Sequence, residues 1–128
     1  MSNCSYQVWQ GVYKSKTPLI PSHEPVGEIV AIGDFARSKG FWKVGQRAGV
    51  LLFRHACGNC VTCRSLGDVR FCKSRDMAGL ANDGGMAEYI IGDAENCVLI
   101  PEEVSYEQAA PLMCAGVSSS IPRHRDLD

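Results

Sequence analysis

Four cysteines constrain this chain more than anything else in it: Cys57, Cys60 and Cys63 stand at two-residue gaps, and Cys72 follows after eight more residues. Two-residue gaps turn the backbone enough to aim successive sulfurs at one point, and four thiolates complete the tetrahedral shell that zinc takes at structural sites. A closed shell leaves no position for a substrate, so this zinc is expected to staple a lobe and to perform no chemistry. The competing reading is a pair of disulfides, which belongs to oxidising compartments. The opening residues Met1-Ser-Asn-Cys-Ser-Tyr-Gln carry neither the positive nor the apolar region of a secretory signal. The spacing is therefore read as a zinc site in a reducing, cytoplasmic setting.

The 128 residues suffice for one domain with a real core and are too few for two sizeable ones. A net charge of -1 and the lack of any basic run speak against a nucleic-acid partner. No apolar stretch approaches the roughly 20 residues that a membrane span needs.

Short apolar runs lie between frequent glycines and prolines. Residues 27–33, rich in β-branched side chains between two glycines, read as a strand, as do residues 44–53, 86–91 and 97–101. Ser105 is placed to cap a short helix over residues 106–113, with Pro111 interrupting the pattern. Helix is expected to be scarce elsewhere. The architecture that follows is mostly β: an irregular, largely antiparallel barrel with long loops, one of them the cysteine lobe. From Ser118 onward the chain turns polar, contains Pro122 and has little to bury, so residues 118–128 are expected to be a disordered tail.

A second constellation is less compact. His23 and Glu24 stand together ahead of the first expected strand, and Cys114 follows the capped helix. A catalytic zinc takes three protein ligands and keeps one position open, and mixed Cys/His shells suit it. Residues so far apart carry no spacing information, however, and from the pattern alone a packing role is the simpler assignment.

Several ordered segments change that balance. Residues 17–33, with Ser22-His23-Glu24-Pro-Val-Gly27, resemble the G-H-E-x-x-G-x-V-x-x-x-G signature of the zinc-dependent alcohol dehydrogenases of the medium-chain dehydrogenase/reductase superfamily. Val8-Trp-Gln-Gly11, Val44-Gly-Gln-Arg47, the cysteine lobe, Asp83-Gly-Gly-Met-Ala-Glu-Tyr89 and Ala109-Ala-Pro-Leu-Met-Cys-Ala-Gly116 are similar to further segments of that family in the same order. The likeness covers residues 8–117 and implies an N-terminal catalytic domain of GroES-like fold, here residues 1–117. By that resemblance Cys57, Cys60, Cys63 and Cys72 hold a structural zinc, and His23 and Cys114 hold a catalytic one. Glu24 lies beside the catalytic metal and approaches it during water exchange. The implied chemistry is oxidation of a small primary or secondary alcohol to its aldehyde or ketone, with zinc as Lewis acid and NAD(P) as hydride acceptor.

The chain also departs from the family pattern. Counting back from Val8, the family's first catalytic cysteine falls on Ser2, its proton-relay hydroxyl on Cys4 and its aspartate on Ser5. Cys4 replaces the missing thiolate only if the N-terminus shifts by two residues. Ser22 stands in place of a glycine and Gln46 in place of an aspartate. No G-x-G-x-x-G fingerprint occurs, and Gly79-Leu-Ala-Asn-Asp-Gly84 lacks its spacing. The expectation is therefore an alcohol dehydrogenase segment without its cofactor-binding half, inactive by itself. The alternative is a non-catalytic, zinc-stapled remnant or interaction module whose exposed sheet edge pairs with another chain. An oligomer is left open. Trp9, Tyr13, Phe41 and Trp42 are candidates for a substrate pocket or for ordinary packing, and His55, Cys97 and His124 for no special role.

Overall fold

The computed structural model of this chain describes residues 3–67 and 69–116. The expected tail at 118–128 and the position of Ser2 lie outside the described residues.

Among the described residues, five short strands form two antiparallel sheets. In the larger, β1 (Val26–Glu28), β2 (Arg47–Val50) and β5 (Cys97–Leu99) lie in the order β1-β2-β5. Gly27 stands opposite Ala48, and Gly49 opposite Val98. The turn into β2 uses Gly45 at a φ of 88°, a conformation that costs a side-chain-bearing residue dearly. Its N–H reaches the Ile29 carbonyl at 2.8 Å, while the Ile29 N–H returns to Gln46 at 2.9 Å. In the smaller sheet, β3 (Phe53–Arg54) pairs with β4 (Asp76–Met77), and the cysteine lobe is the loop between them. This is a mostly non-helical arrangement with few short helices.

The core is thin. Val50, Cys72, Ala78, Ile100 and Ala109 are the buried hydrophobic residues among those described. Polar ties supplement it. The Arg47 guanidinium donates to the carbonyls of Pro101, Glu102 and Val104 at 2.7–3.2 Å and stacks on the Tyr106 ring, fastening β2 to the helix that follows.

That helix, α3 (Tyr106–Pro111), starts at Ser105 through a capping box: the Ser105 hydroxyl accepts from the Gln108 N–H, and the Gln108 side chain accepts from the Ser105 N–H. Pro111 is its last residue, and the chain then widens into a π-helical turn, Leu112–Gly116. Two other helices carried no readable signal. α1 (Asn3–Trp9) and α2 (Asp34–Lys39) are only seven and six residues long, too short for an apolar period to show. α2 is closed by Gly40 at a φ of 72° and has Asp34 in its first turn and Lys39 in its last, which suits the helix dipole.

Two expected strands differ from the structure. Strand geometry stops at Glu28 within residues 27–33, and residues 86–91 form no strand. The amides of residues 30–32 and 87–91 donate to no carbonyl among the described residues. Their sequences favour extended backbone, but a strand requires a neighbour to pair with. No helix among the described residues is long and apolar enough to cross a membrane.

Candidate metal centres

The cysteine lobe is assembled by local geometry. The ladder of Arg54 against Asp76 and Phe53 against Met77 brings the two ends of the loop together. Gly58, at a φ of 67°, reverses the chain inside the first Cys-x-x-Cys gap. The Cys60 N–H then points at the Cys57 sulfur, and the Cys57 N–H at the Cys72 sulfur, each at 3.3 Å. A π-helical turn, Thr62–Leu66, carries Cys63 and ends at Gly67 with a φ of 62°. All four sulfurs lie within 4.8 Å of one another, and none is bonded to another. Zn–S bonds of about 2.3 Å require sulfurs roughly 3.8 Å apart, which falls within that span.

The electrostatics of the lobe favour thiolate. Hydrogen bonds with the Thr62 side chain, the Cys63 backbone and the Cys63 thiol draw the Cys60 thiol down to about 5. Cys63, hydrogen-bonded to Cys60 and partly desolvated, is pushed up to about 12. The Cys72 thiol is lowered, chiefly by the Cys57 N–H. Backbone N–H groups thus already point at the sulfurs of Cys57 and Cys72, an arrangement that suits thiolates held by a cation. The donor set fits zinc.

The second cluster joins segments far apart in the chain. His23, Glu24 and Cys114 each place one ligand atom within 4.8 Å of the others. His23 is only 2% exposed. Burial lowers its pKa against the opposing pull of Glu24, so the imidazole is neutral at pH 7 and keeps a lone pair for a metal. The Cys114 thiol is pushed up, first by burial and then by the charges of Glu24 and Cys4.

Cys114 is delivered by the π-helical turn after α3. Its neighbour Met113 lies over Gly49, where any side chain on β2 would collide with the thioether. His23 is delivered differently. Ser22 before it has a φ of 83°, the left-handed region, at a position where the family pattern has glycine. This conformation is enforced from the opposite side by residues 79–86. The N–H groups of Gly84, Gly85 and Met86 donate to the carbonyls of Ile20, Ser22 and Pro21 at 2.7, 2.9 and 3.1 Å. A Cβ on Gly79 or Gly84 would run into the Ser22 backbone. The glycines that do not spell a nucleotide-binding fingerprint are therefore those that let two backbones touch behind the histidine. Only glycine's presence was visible in the sequence; its reason is tertiary.

Cys4 lies on the first turn of α1, half-buried, near enough to Cys114 for its charge to be felt but outside the three-residue group. Ser5, beside it, is 3% exposed. Trp9 and Phe41 are mostly exposed, while Trp42 donates from its indole N–H to the Ala94 carbonyl at 2.9 Å. Trp42 also lines an apolar cavity of about 530 Å³ with Val26, Val30, Val50, Tyr89 and Ile91, and neither His23 nor Cys114 reaches it.

Comparison with known proteins places the chain in a family. The alcohol dehydrogenase GroES-like domain matches residues 2–102. An alcohol dehydrogenase of Geobacillus stearothermophilus is 43% identical over 106 residues, covering 83% of this chain and 30% of that protein. The alcohol dehydrogenase of Schizosaccharomyces pombe is 36% identical over 104 residues, covering 81% of this chain and 29% of that protein. Among solved structures, D-arabinose dehydrogenase from Sulfolobus solfataricus superimposes with a TM-score of 0.79 at 28% identity, over 93% of this chain and 36% of that one. An E. coli CFT073 short chain alcohol dehydrogenase (rspB), complexed with the cofactor NADH, gives 0.75 at 30% identity, over 88% of this chain and 31% of that one. The chain thus spans about a third of the length of the relatives it matches. With the strand order, the sulfur quartet and these likenesses together, the chain belongs to the alcohol dehydrogenase GroES-like domain family.

Proposed function

We propose that residues 1–117 form the metal-bearing part of a zinc-dependent alcohol dehydrogenase that oxidises a primary or secondary alcohol with NAD(P). The observation that carries this reading is the convergence of His23, Glu24 and Cys114 within 4.8 Å, one of them a buried, neutral imidazole. Nitrogen, oxygen and sulfur donors in that number fit a catalytic shell with one position open. Zinc bound there supplies Lewis acidity toward an alcohol oxygen, which makes loss of the hydroxyl proton and then of hydride feasible.

The chain's own residues divide the remaining work. His23, held by its clamped backbone, offers a lone pair without first losing a proton. Cys114 contributes negative charge once ionised. Glu24 is the third donor and the carboxylate that exchanges with water. Cys4, on the first turn of the seven-residue α1 and near enough to Cys114 for its charge to be felt, is the thiol that would take the place of Glu24 if α1 shifts. Cys57, Cys60, Cys63 and Cys72 hold a second zinc that only staples the lobe.

Without a G-x-G-x-x-G segment, the 128-residue chain alone is proposed to reduce no NAD. Metal analysis tests the site. Two zinc per purified chain, falling to one in His23→Ala, supports the catalytic reading; one per chain in the unmodified protein sinks it. One observation favours the second reading, a zinc-stapled interaction module: Tyr89 and Ile91, bordering the apolar cavity, are 73% and 83% exposed. A chain holding a single zinc would decide for it.

A further inference from the structure

The most buried charged pair in the described molecule belongs to neither metal cluster. Arg54 is 6% exposed, and its Nε and Nη2 donate to Asp76 Oδ2 at 3.1 and 2.6 Å. Its fork also reaches beyond that partner, to the Ile91 carbonyl at 3.1 Å and the Asp83 carbonyl at 3.4 Å. The other Asp76 oxygen accepts from the Asn82 amide at 2.6 Å. Arg54 and Asp76 close the base of the cysteine lobe as the paired residues of β3 and β4. Asn82 and Asp83 begin the backbone that clamps residues 20–22. Asp83 Oδ1 accepts from the Ile20 N–H at 3.0 Å, and the Gly85 N–H holds the Ser22 carbonyl. Hydrogen bonds, joined by the backbone of residues 83–85, thus run from the base of the lobe to the residue before His23.

A hairpin of two residue pairs needs no buried arginine to close it, and a buried ion pair is by itself weak evidence of stabilisation. The directions in which the guanidinium is used are more informative. Half of its four bonds leave the pair for backbone carbonyls on the far side, at Asp83 and Ile91. Ser22 would relax out of its left-handed conformation unless the opposing backbone were held rigidly against it.

We propose that Arg54 is a positioning residue for His23, coupling the cysteine lobe to the second cluster through residues 82–85. This rests on the catalytic reading above only for its effect on a metal at His23; the coupling of the two backbones stands without it.

The test compares the unmodified 128-residue chain with Arg54→Lys, which keeps the charge but cannot reproduce a planar fork. Hydrogen exchange of the zinc-loaded protein is expected to speed up by about tenfold or more at the amides of Gly84, Gly85 and Met86, with those of Cys57 and Cys60 nearly unchanged. A uniform acceleration, which a merely structural role would produce, or no acceleration overturns the proposal. Should Arg54→Lys not fold, exchange of the unmodified chain in graded denaturant decides instead. Amides 84–86 opening together with that of Ala78, which is bonded to Leu52, support the coupling, and their earlier, separate opening overturns it. Cobalt(II) titration supplies a second readout: affinity at the His23 cluster is expected to fall about 10- to 100-fold in Arg54→Lys, with the four-cysteine site unaffected. An unmodified chain that takes up a single cobalt refutes the catalytic reading, and the exchange result still decides the role of Arg54.

Discussion

The two candidate metal clusters of this protein are built on opposite plans. In the cysteine lobe every candidate ligand lies between residues 57 and 72, and each is aimed by turns within the loop itself. In the His23 cluster the candidate ligands come from residues 23, 24 and 114, and His23 and Cys114 are aimed by segments that supply no ligand: residues 79–86 behind His23, and Gly49 beneath Met113. A local site survives as long as its loop does. A distributed site depends on how accurately separate backbones are pressed together, and a single added methyl group can spoil it.

Cys60→Ser breaks the comparison most severely. It removes one of four sulfurs from a closed shell and is expected to release the lobe zinc and unfold the lobe; an unchanged melting curve with full zinc content contradicts the stapling role. Gly84→Ala sharpens it. The new methyl collides with the Ser22 carbonyl, so a destabilisation of about 1–3 kcal/mol is expected, with the loss of metal confined to the His23 cluster. Denaturant unfolding with metal analysis of both sites checks this, and equal loss at both sites would contradict the division drawn here.

The pH dependence comes next. Burial works against an ionised Asp76, but hydrogen bonds from Asn82 and the charge of Arg54 outweigh it and hold the carboxyl below its usual value. A carboxyl depressed in the folded state contributes stability that is present above its unfolded pKa of about 4 and is lost as pH falls below that. Stability is therefore expected to decline below about pH 4, less steeply in Asp76→Asn. Asp93, likewise depressed by the His55, Glu95 and Asn96 bonds that overcome its burial, keeps part of the slope in that variant. Denaturation midpoints across that range report both. The smallest effect is expected from Ser22→Gly, which relieves a side chain from a φ of 83° and is expected to stabilise the chain by about 0.5–1 kcal/mol, read from the same midpoints.

Legibility followed range along the chain. The sulfur quartet and the cap at Ser105 were readable because their partners lie close by in the chain, and strand β5 from an apolar run that Pro101 ends, although its partner strand β2 lies far back in the sequence. The runs at 27–33 and 86–91 were read as strands from composition, which registers extended propensity but not whether a neighbour exists to accept the hydrogen bonds. α1 and α2 were missed because one or two turns give no period. Arg54 looked like any charged residue beside a loop. Nothing within a few positions of it in the chain announced that Asp76, Asp83 and Ile91 would surround its guanidinium.

The amino-acid order alone determined a zinc-fitting lobe, because two-residue spacings leave cysteine sulfurs little choice of direction. Family membership was legible there too, through motifs kept in sequence. Only the tertiary structure decided that His23, Glu24 and Cys114 meet, and that the glycines at 79 and 84 are needed behind them. Contacts between residues dozens of positions apart depend on how whole segments pack, and no short pattern encodes that packing.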